Sequence, residues 1–461
     1  MTTVPMRERV SIPWRACRLL LRAAWMAAVG LMVCGIATDP RGCTAADAVT
    51  PPGRPPNIVV ILADDLGIGN VSCYGADAFR TPHIDALAAA GMRFTRCYSA
   101  PNCGPSRALM MTGRYGFRTG MTGNDKTAVK LLRERRKDEA MMPKVLAARG
   151  YATASAGKWS QIPLDPSDWG FDEFIRTNGS GAYWPSEDRA TYTINGEEKP
   201  WPQGVYMPDL THDFVVDFIA RHRDRPFYVH YALAGVHTPI QRTPDSPPDS
   251  ADLFTDNVAY MDTLVGRLMA DLDRLGVRDE TLVIFTGDNG VHPGKGDVST
   301  IGGRRLSGAK GTLLEGGSRV PLVAAWPGRI AAGRVCDDLV SFTDFLPTCA
   351  ELAGAELPAG LVIDGRSFAP QLLGRPGTPR ESLLVMLGRH WYVRDARWKL
   401  TDAGELFDLA DAPFVERAVP ADSPNAEAAA GRKRLAAVLA DLDPAAGRLG
   451  EESGKHGTSD R

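Results

Sequence analysis

Continuous apolar runs alternate with amphipathic stretches along most of the chain. Ile58-Val59-Val60-Ile61-Leu62-Ala63 is unbroken and rich in β-branched residues. Such a run predicts a strand buried on both faces, in a sheet covered by helices. Phe227 to Leu233, Thr281 to Thr286 and Leu322 to Trp326 read the same way, and Tyr151 to Ala156 is a further strand. Helices fall between them. Thr81-Pro82, followed by His83 to Ala90 and Gly91, reads as a cap, a first-turn proline, a helix and a terminal glycine. Met142-Pro143 to Arg149, closed by Gly150, repeats that pattern. Leu210 to His222 and Phe254 to Leu275, the latter ended by Gly276, are also helical. Strands alternating with helices predict an α/β/α sandwich around a large sheet.

The texture changes after about residue 355. Ser382 to Leu387, Trp391 to Asp395 and Trp398 to Thr401 are short strand-like runs set close together, and Ala426 to Leu442 is a helix. They predict a small antiparallel sheet with one helix. The expected division is 57–354 for the main α/β domain, 355–446 for a C-terminal α+β subdomain and 447–461 for a polar, disordered tail. Thr243 to Ser250, rich in Pro and Asp, is a loop, and no internal repeat is visible.

The first 48 residues follow another logic. Arg7, Arg9, Arg15, Arg18 and Arg22 precede the apolar stretch Ala23 to Ala37, and a small-residue site, Ala46-Asp47-Ala48, follows. Basic, apolar and cleavable in that order is a secretory signal, which predicts a secreted or periplasmic protein. The apolar stretch is short for a bilayer span, so the expected membrane contact is through the export signal only.

Composition adds exclusions. The 461 residues are 44% hydrophobic and 23% charged, as in a globular chain, and the net charge of -2 gives no reason to expect a nucleic-acid partner. Eight cysteines are present, and Cys17, Cys34 and Cys43 would leave with the signal. Of the remaining Cys73, Cys97, Cys103, Cys336 and Cys349, four could pair in an exported protein, in three ways, leaving one to be explained.

Two acidic clusters follow buried strands directly: Asp64-Asp65 and Gly287-Asp288-Asn289-Gly290. Ligands gather at the carboxyl ends of strands in such sheets. Like charges held close need neutralising, and an all-oxygen set of Asp64, Asp65, Asp288 and Asn289 suits Ca²⁺, or Mg²⁺, better than Zn²⁺. The plainer reading is that Asp and Asn are ordinary turn residues there.

Asn102-Cys103-Gly104-Pro105-Ser106-Arg107-Ala108-Leu109-Met110-Met111-Thr112-Gly113-Arg114 is the most informative stretch. Gly104-Pro105 reads as a turn with Pro105 opening a helix, which places Cys103 at a helix N-terminus where free N–H groups favour negative charge. Arg107, about one turn on, points along the same face. A nucleophile beside a guanidinium is suited to handling anions. A buried structural cysteine is the plainer alternative.

This segment resembles the sulfatase signature, Cys-x-Pro-Ser-Arg followed by Thr-Gly-Arg. The resemblance runs from Asn57 to Leu409. Gly150-Tyr151-Ala152-Thr153 through Gly157-Lys158-Trp159, His237-Thr238-Pro239, Lys310-Gly311-Thr312 through Pro321, Asp364-Gly365-Arg366-Ser367 and Glu405-Leu406-Phe407-Asp408-Leu409 occur in the family's order. The resemblance implies an alkaline-phosphatase-like fold. It implies hydrolysis of an aryl or carbohydrate sulfate, with Cys103 oxidised to formylglycine by a formylglycine-generating enzyme. That would account for the odd cysteine. It also implies that residue 103 joins the metal ligands, that Arg107 orients it, that Lys158 and Lys310 bind sulfate, and that His237 or Lys310 protonates the leaving oxygen. The expected partner is a sulfated small molecule or glycan.

One position departs from the family. Gly157-Lys158-Trp159 is followed by Ser160 where the family has histidine, and Ser160 is no base near pH 7. Either another group, His292 or a water, takes that role, or turnover is slow. Two other readings stay open on the sequence: a phosphoesterase of the same superfamily, and a non-catalytic homologue that binds sulfated glycans. The aromatics Trp159, Trp169, Tyr183, Trp184 and Trp201 fit either sugar stacking or plain packing.

Overall fold

The structure, a computed structural model, describes residues 54–445 apart from residues 160, 178 and 180. The export signal with Cys17, Cys34 and Cys43, the tail from Gly447 and the departure at Ser160 all lie outside the described residues.

Ten strands form the main sheet. In chain order they are β1 (Asn57–Ala63), β2 (Met92–Tyr98), β3 (Ala152–Gly157), β4 (Glu173–Thr177), β5 (Thr191–Ile194), β6 (Glu197–Pro200), β7 (Phe227–Leu233) and β8 (Thr281–Gly287). After a small ribbon, β9 (Thr300–Ile301) and β10 (Arg304–Arg305), come β11 (Arg319–Ala325) and β12 (Arg334–Ser341). Their order is β12-β2-β11-β8-β1-β7-β3-β4-β5-β6. The central strands β8, β1, β7, β3 and β4 run parallel, whereas β11 is antiparallel to both its neighbours, so the sheet is mixed.

The sheet separates two cores, as a strand apolar on both faces requires. Ile58, Val60 and Leu62 of β1 face a core shared with the helices Cys103–Thr112, Met142–Ala147 and Phe345–Ala353. Val59, Ile61 and Ala63 face the other, shared with Pro82–Ala89, Met207–His222 and Leu253–Arg274. This is the expected α/β/α sandwich. The C-terminal sheet is also as expected: β13 (Leu383–Leu387), β14 (His390–Arg394), β15 (Trp398–Thr401), β16 (Leu406–Asp411) and β17 (Val415–Val419) form an antiparallel meander. The helix Ala426–Leu442 packs Ala428 and Leu435 against Trp398 and Leu400. Gly431 permits that approach, since a Cβ there would lie 2.5 Å from the Trp398 ring.

Several expectations need correction. The strand expected at Leu322 begins at Arg319, because the register shifts between Val320 and Leu322 and absorbs Pro321 in an irregularity. Gly91 is not a left-handed helix cap. It is there for space, since a Cβ would lie 2.1 Å from the Ala324 carbonyl oxygen. The helix carrying Cys103 starts at Cys103 itself, two residues before Pro105, with Asn102 at the cap. Cys73, Cys97, Cys103, Cys336 and Cys349 are all free thiols, so the expected pairing of four is not seen.

Candidate active site

Parallel register builds the site. Ala63 of β1 lies opposite Gly287 of β8, so Asp64-Asp65 and Asp288-Asn289 leave adjacent strands side by side. The backbone extends the pairing one step further: Asp288 N donates to Ala63 O at 2.8 Å, and Asp64 N to Leu233 O at 2.9 Å. Asp65 then turns into the left-handed region, φ 58°, with its N–H donating to Asp288 Oδ1 at 3.1 Å. A non-glycine residue held there marks a constrained backbone, of the kind that collects at functional sites. Gly290 lets the next loop close over the ligands, because a Cβ at 290 would lie 1.7 Å from Gly316 O.

Asp64, Asp65, Asp288 and Asn289 are completely buried. Three cations meet the three carboxylates. Arg107 donates to Asp288 Oδ2 from Nε at 3.2 Å and Nη2 at 2.8 Å, and from Nη1 to Lys158 O at 2.7 Å. Lys158 Nζ lies 2.5 Å from Asp64 Oδ2, and Lys310 Nζ 2.5 Å from Asp65 Oδ1. Burial works against the charge on all three cations. The negative neighbours, led by Asp64 for Lys158, Asp65 for Lys310 and Asp288 for Arg107, together more than offset it, so each pKa ends above its ordinary value. Burial, and then Asp64, push the Asp288 carboxyl up, against the pull of Arg107 and the two lysines.

Pairing leaves three oxygens over. Asp64 Oδ1, Asp65 Oδ2 and Asn289 Oδ1 are buried with no hydrogen-bond partner. Orphaned buried acceptors are costly, at about 1–3 kcal/mol each. Here all three sit on the residues that the sequence nominated for a hard cation, and their donor set is all oxygen, so the residues fit a divalent ion of the Ca²⁺ or Mg²⁺ kind. The Cys103 sulfur joins them: ligand atoms of Asp64, Cys103 and Asp288 lie within 4.8 Å of one another, as do those of Asp64, Asp65 and His237. With three carboxylates already matched by three cations, a divalent ion makes the site net positive, which suits an anionic substrate.

The structure thus brings together every residue nominated from the sequence: Cys103, Arg107, Lys158, His237, Lys310, Asp64, Asp65, Asp288 and Asn289. His237 follows β7 on a turn held by the buried Tyr183 hydroxyl, which lies 2.6 Å from both Ala234 O and His237 O and has one proton to share between them. Burial holds the His237 imidazole below its ordinary pKa, against the opposite pull of Asp64. Lys310 sits on a loop tied to Cys103's own: Gly311 N donates to Pro101 O at 2.9 Å, and Lys310 N to Val291 O at 3.0 Å. His292 instead turns its Nδ1 to the Gly294 N–H at 3.2 Å.

One neighbour of Cys103 carried no sequence signal. Asn124, on the loop before the helix Lys126–Arg135, donates from Nδ2 to Cys103 Sγ at 3.4 Å and accepts the Gly104 N–H on Oδ1 at 3.1 Å. The aromatics read as packing in the main. Trp159, Trp169, Tyr183 and Trp201 are buried, and each indole N–H among them donates to a backbone carbonyl. Trp184 alone of the five is partly exposed.

Comparison with known proteins gives the family and the fold. The family model described as "Sulfatase" matches residues 56–355, and "N-sulphoglucosamine sulphohydrolase, C-terminal" matches 309–437. Human arylsulfatase A is 37% identical over 376 residues, which cover 72% of this chain and 70% of that protein. The N-acetylgalactosamine-6-sulfatase of Canis lupus familiaris is 34% identical, over 71% and 68%. Among solved structures, Ps i-CgsB in complex with k-i-k-neocarrahexaose superposes with a TM-score of 0.70 at 26% identity, covering 85% of this chain and 92% of that one. BT4656 in complex with D-glucosamine-2-N,6-O-disulfate gives 0.70 at 21% identity, over 87% and 100%, a likeness of fold alone.

Proposed function

The chain belongs to the sulfatase family and hydrolyses a sulfate ester, and from that premise we propose how: with a formylglycine made from Cys103, a Ca²⁺ ion, and an aryl or carbohydrate sulfate as substrate. The observation that carries this reading is the placement of Cys103 Sγ against Asp64 and Asp288, beside three orphaned ligand oxygens. A bound divalent cation would lower the pKa of a hydroxyl beside it and offset negative charge on a sulfate oxygen. Asp64, Asp65, Asp288, Asn289 and residue 103 would hold it.

The chain's own groups do the rest. Arg107 fixes Asp288 and the start of the helix that bears residue 103. Asp288 is the carboxylate placed to hold a proton from the residue 103 hydroxyl. Once Asp64 and Asp65 hold a cation, Lys158 and Lys310 need no longer neutralise them. Both ammonium groups then serve the tetrahedral sulfate as point charges. Lys310, which carries an ammonium proton, supplies it to the leaving oxygen; His237 would do so only as the imidazolium, which its burial disfavours. A placed acid contributes about 10²–10⁴-fold. The sugar sulfate in the name of the 34%-identical relative supports a carbohydrate substrate, and the arylsulfatase relatives support an aryl one. The basic and apolar N-terminus supports export, and a formylglycine-generating enzyme is the maturation partner this reading requires.

The test is release of inorganic sulfate from an aryl sulfate and from an N-acetylgalactosamine 6-sulfate, with Ca²⁺ present, by protein co-expressed with a formylglycine-generating enzyme. Wild type should release sulfate from at least one of them and Cys103→Ala from neither. Equal release by the two proteins would sink the assignment of Cys103.

A further inference from the structure

Cys103 Sγ has two kinds of polar neighbour. Asp64 and Asp288 have ligand atoms within 4.8 Å of it. The other is Asn124, 3.4 Å away, which lies in none of the segments that resemble the family. Its amide is oriented by its own partners: Oδ1 takes the Gly104 N–H at 3.1 Å, which leaves Nδ2 to donate to the residue 103 side-chain atom at 3.4 Å. That orientation matters because an amide whose acceptor is engaged can present only N–H to its other neighbour. The surroundings hold the residue in place. Asp125 caps the helix Lys126–Arg135 through the Thr127 and Ala128 N–H groups. Gly104 has no room for a side chain, since a Cβ there would lie 2.5 Å from Asn124 Oδ1 and 2.8 Å from Gln161 Cβ. Gln161 itself is held at φ 78°. A side chain at 104 would therefore have to displace Asn124, Met121 or Gln161.

We propose that Asn124 is a catalytic residue: its Nδ2–H donates a hydrogen bond to the residue 103 side-chain oxygen that the carboxylates do not engage. The proposal rests on the formylglycine reading, in which a hydrated aldehyde presents two oxygens at residue 103. One oxygen turns to Asp64 and Asp288. The other turns to Asn124; when the carbon–oxygen bond to sulfate breaks and sulfate leaves, this oxygen gives its proton to water and becomes the aldehyde oxygen. Asn124 is not a base and takes no proton. A donor aimed at an oxygen that gains negative charge stabilises it, and removing one such donor costs about 10²–10³-fold in kcat in enclosed sites. Asn124 is half-buried, so a loss of about tenfold or more is expected.

Two variants separate the roles of the amide. Asn124→Asp keeps an acceptor for the Gly104 N–H but loses the donor to residue 103. Asn124→Ala loses both. Each is made with the generating enzyme, checked for conversion of residue 103 by peptide mass, and assayed for kcat and KM on the same sulfate ester. With conversion and Tm equal to wild type, both should lose about tenfold or more in kcat with KM little changed. Asn124→Asp at or above wild-type kcat overturns the donor role, as does a loss confined to KM. A wild-type protein that converts and turns over while the variants match it overturns this proposal alone. A wild-type protein that does not convert overturns it together with the reading it rests on.

Discussion

His230 lies on β7 with no exposed surface, and neither ring nitrogen has a hydrogen-bond partner. Burial, assisted by Arg107, holds its pKa down to about 3. Below about pH 6.5 the unfolded chain binds a proton here that the native state refuses, so stability falls as pH falls from there toward 3. The slope is at most about 1.4 kcal/mol per pH unit. Urea unfolding at pH 7.5 and pH 5 should show this loss in wild type and a smaller one in His230→Phe; identical pH dependence would remove His230 from the account. The metal ligands, by contrast, were legible in the sequence, because an acidic pair directly after an apolar run must stand at a strand end. Lys158 and His237 were legible through their family segments. Asn124 was not, since nothing local to a loop 21 residues after Cys103 says which thiol it will meet.

The C-terminal sheet reaches the site through the loop after Lys310. Glu416 of β17 accepts the Glu315 N–H at 2.7 Å, and Lys399 of β15 donates to Leu313 O at 2.6 Å and pairs with Glu416 at 2.5 Å. Arg394 of β14 pairs with Glu315 at 2.5 Å. Glu315, Arg394 and Lys399 are buried, and Glu416 is half-buried as a residue with its carboxylate nearly covered. Breaking a buried pair by removing one partner costs about 3–5 kcal/mol. Lys399→Met should therefore lower Tm. It should also lower kcat severalfold at temperatures where the protein is fully folded, because the loop bearing Lys310 loses its brace. Glu416→Gln, which can keep the Glu315 N–H, should do less on both counts. Unchanged kcat in Lys399→Met would show that the main domain holds this loop alone. The elements that the sequence concealed share a cause. β2 carries Arg93, Thr95 and Arg96 between its apolar residues, and β12 is interrupted by Asp337 and Asp338, so neither shows the unbroken apolar run that marked β1, β7 and β8.

At the scale of the molecule, the sheet places three carboxylates and three cations at the carboxyl ends of its central strands and leaves three oxygens without partners. A cation that satisfies those oxygens binds only the folded chain, and so stabilises it by mass action, by about 2.7 kcal/mol at a hundredfold excess over Kd. Adding Ca²⁺ to chelator-treated protein should raise Tm progressively with concentration, and Asp288→Asn should blunt the rise. A Tm indifferent to Ca²⁺ and Mg²⁺ would contradict the metal site. The sandwich itself was legible from the alternation of apolar strands and capped helices. Its mixed character comes from β5 and β6 at one edge and from β11, which is antiparallel to β2 and β8 and whose pairing with β2 joins segments far apart in the chain.

The most direct test is the mass of the tryptic peptide Cys97–Arg107, taken after denaturation and thiol alkylation, from protein co-expressed with a formylglycine-generating enzyme that converts a control. The account predicts a peptide alkylated once, at Cys97, with residue 103 lighter than cysteine by the difference between hydrogen sulfide and an oxygen atom. A peptide alkylated at both positions would show that Cys103 stays a thiol and would contradict the proposed nucleophile.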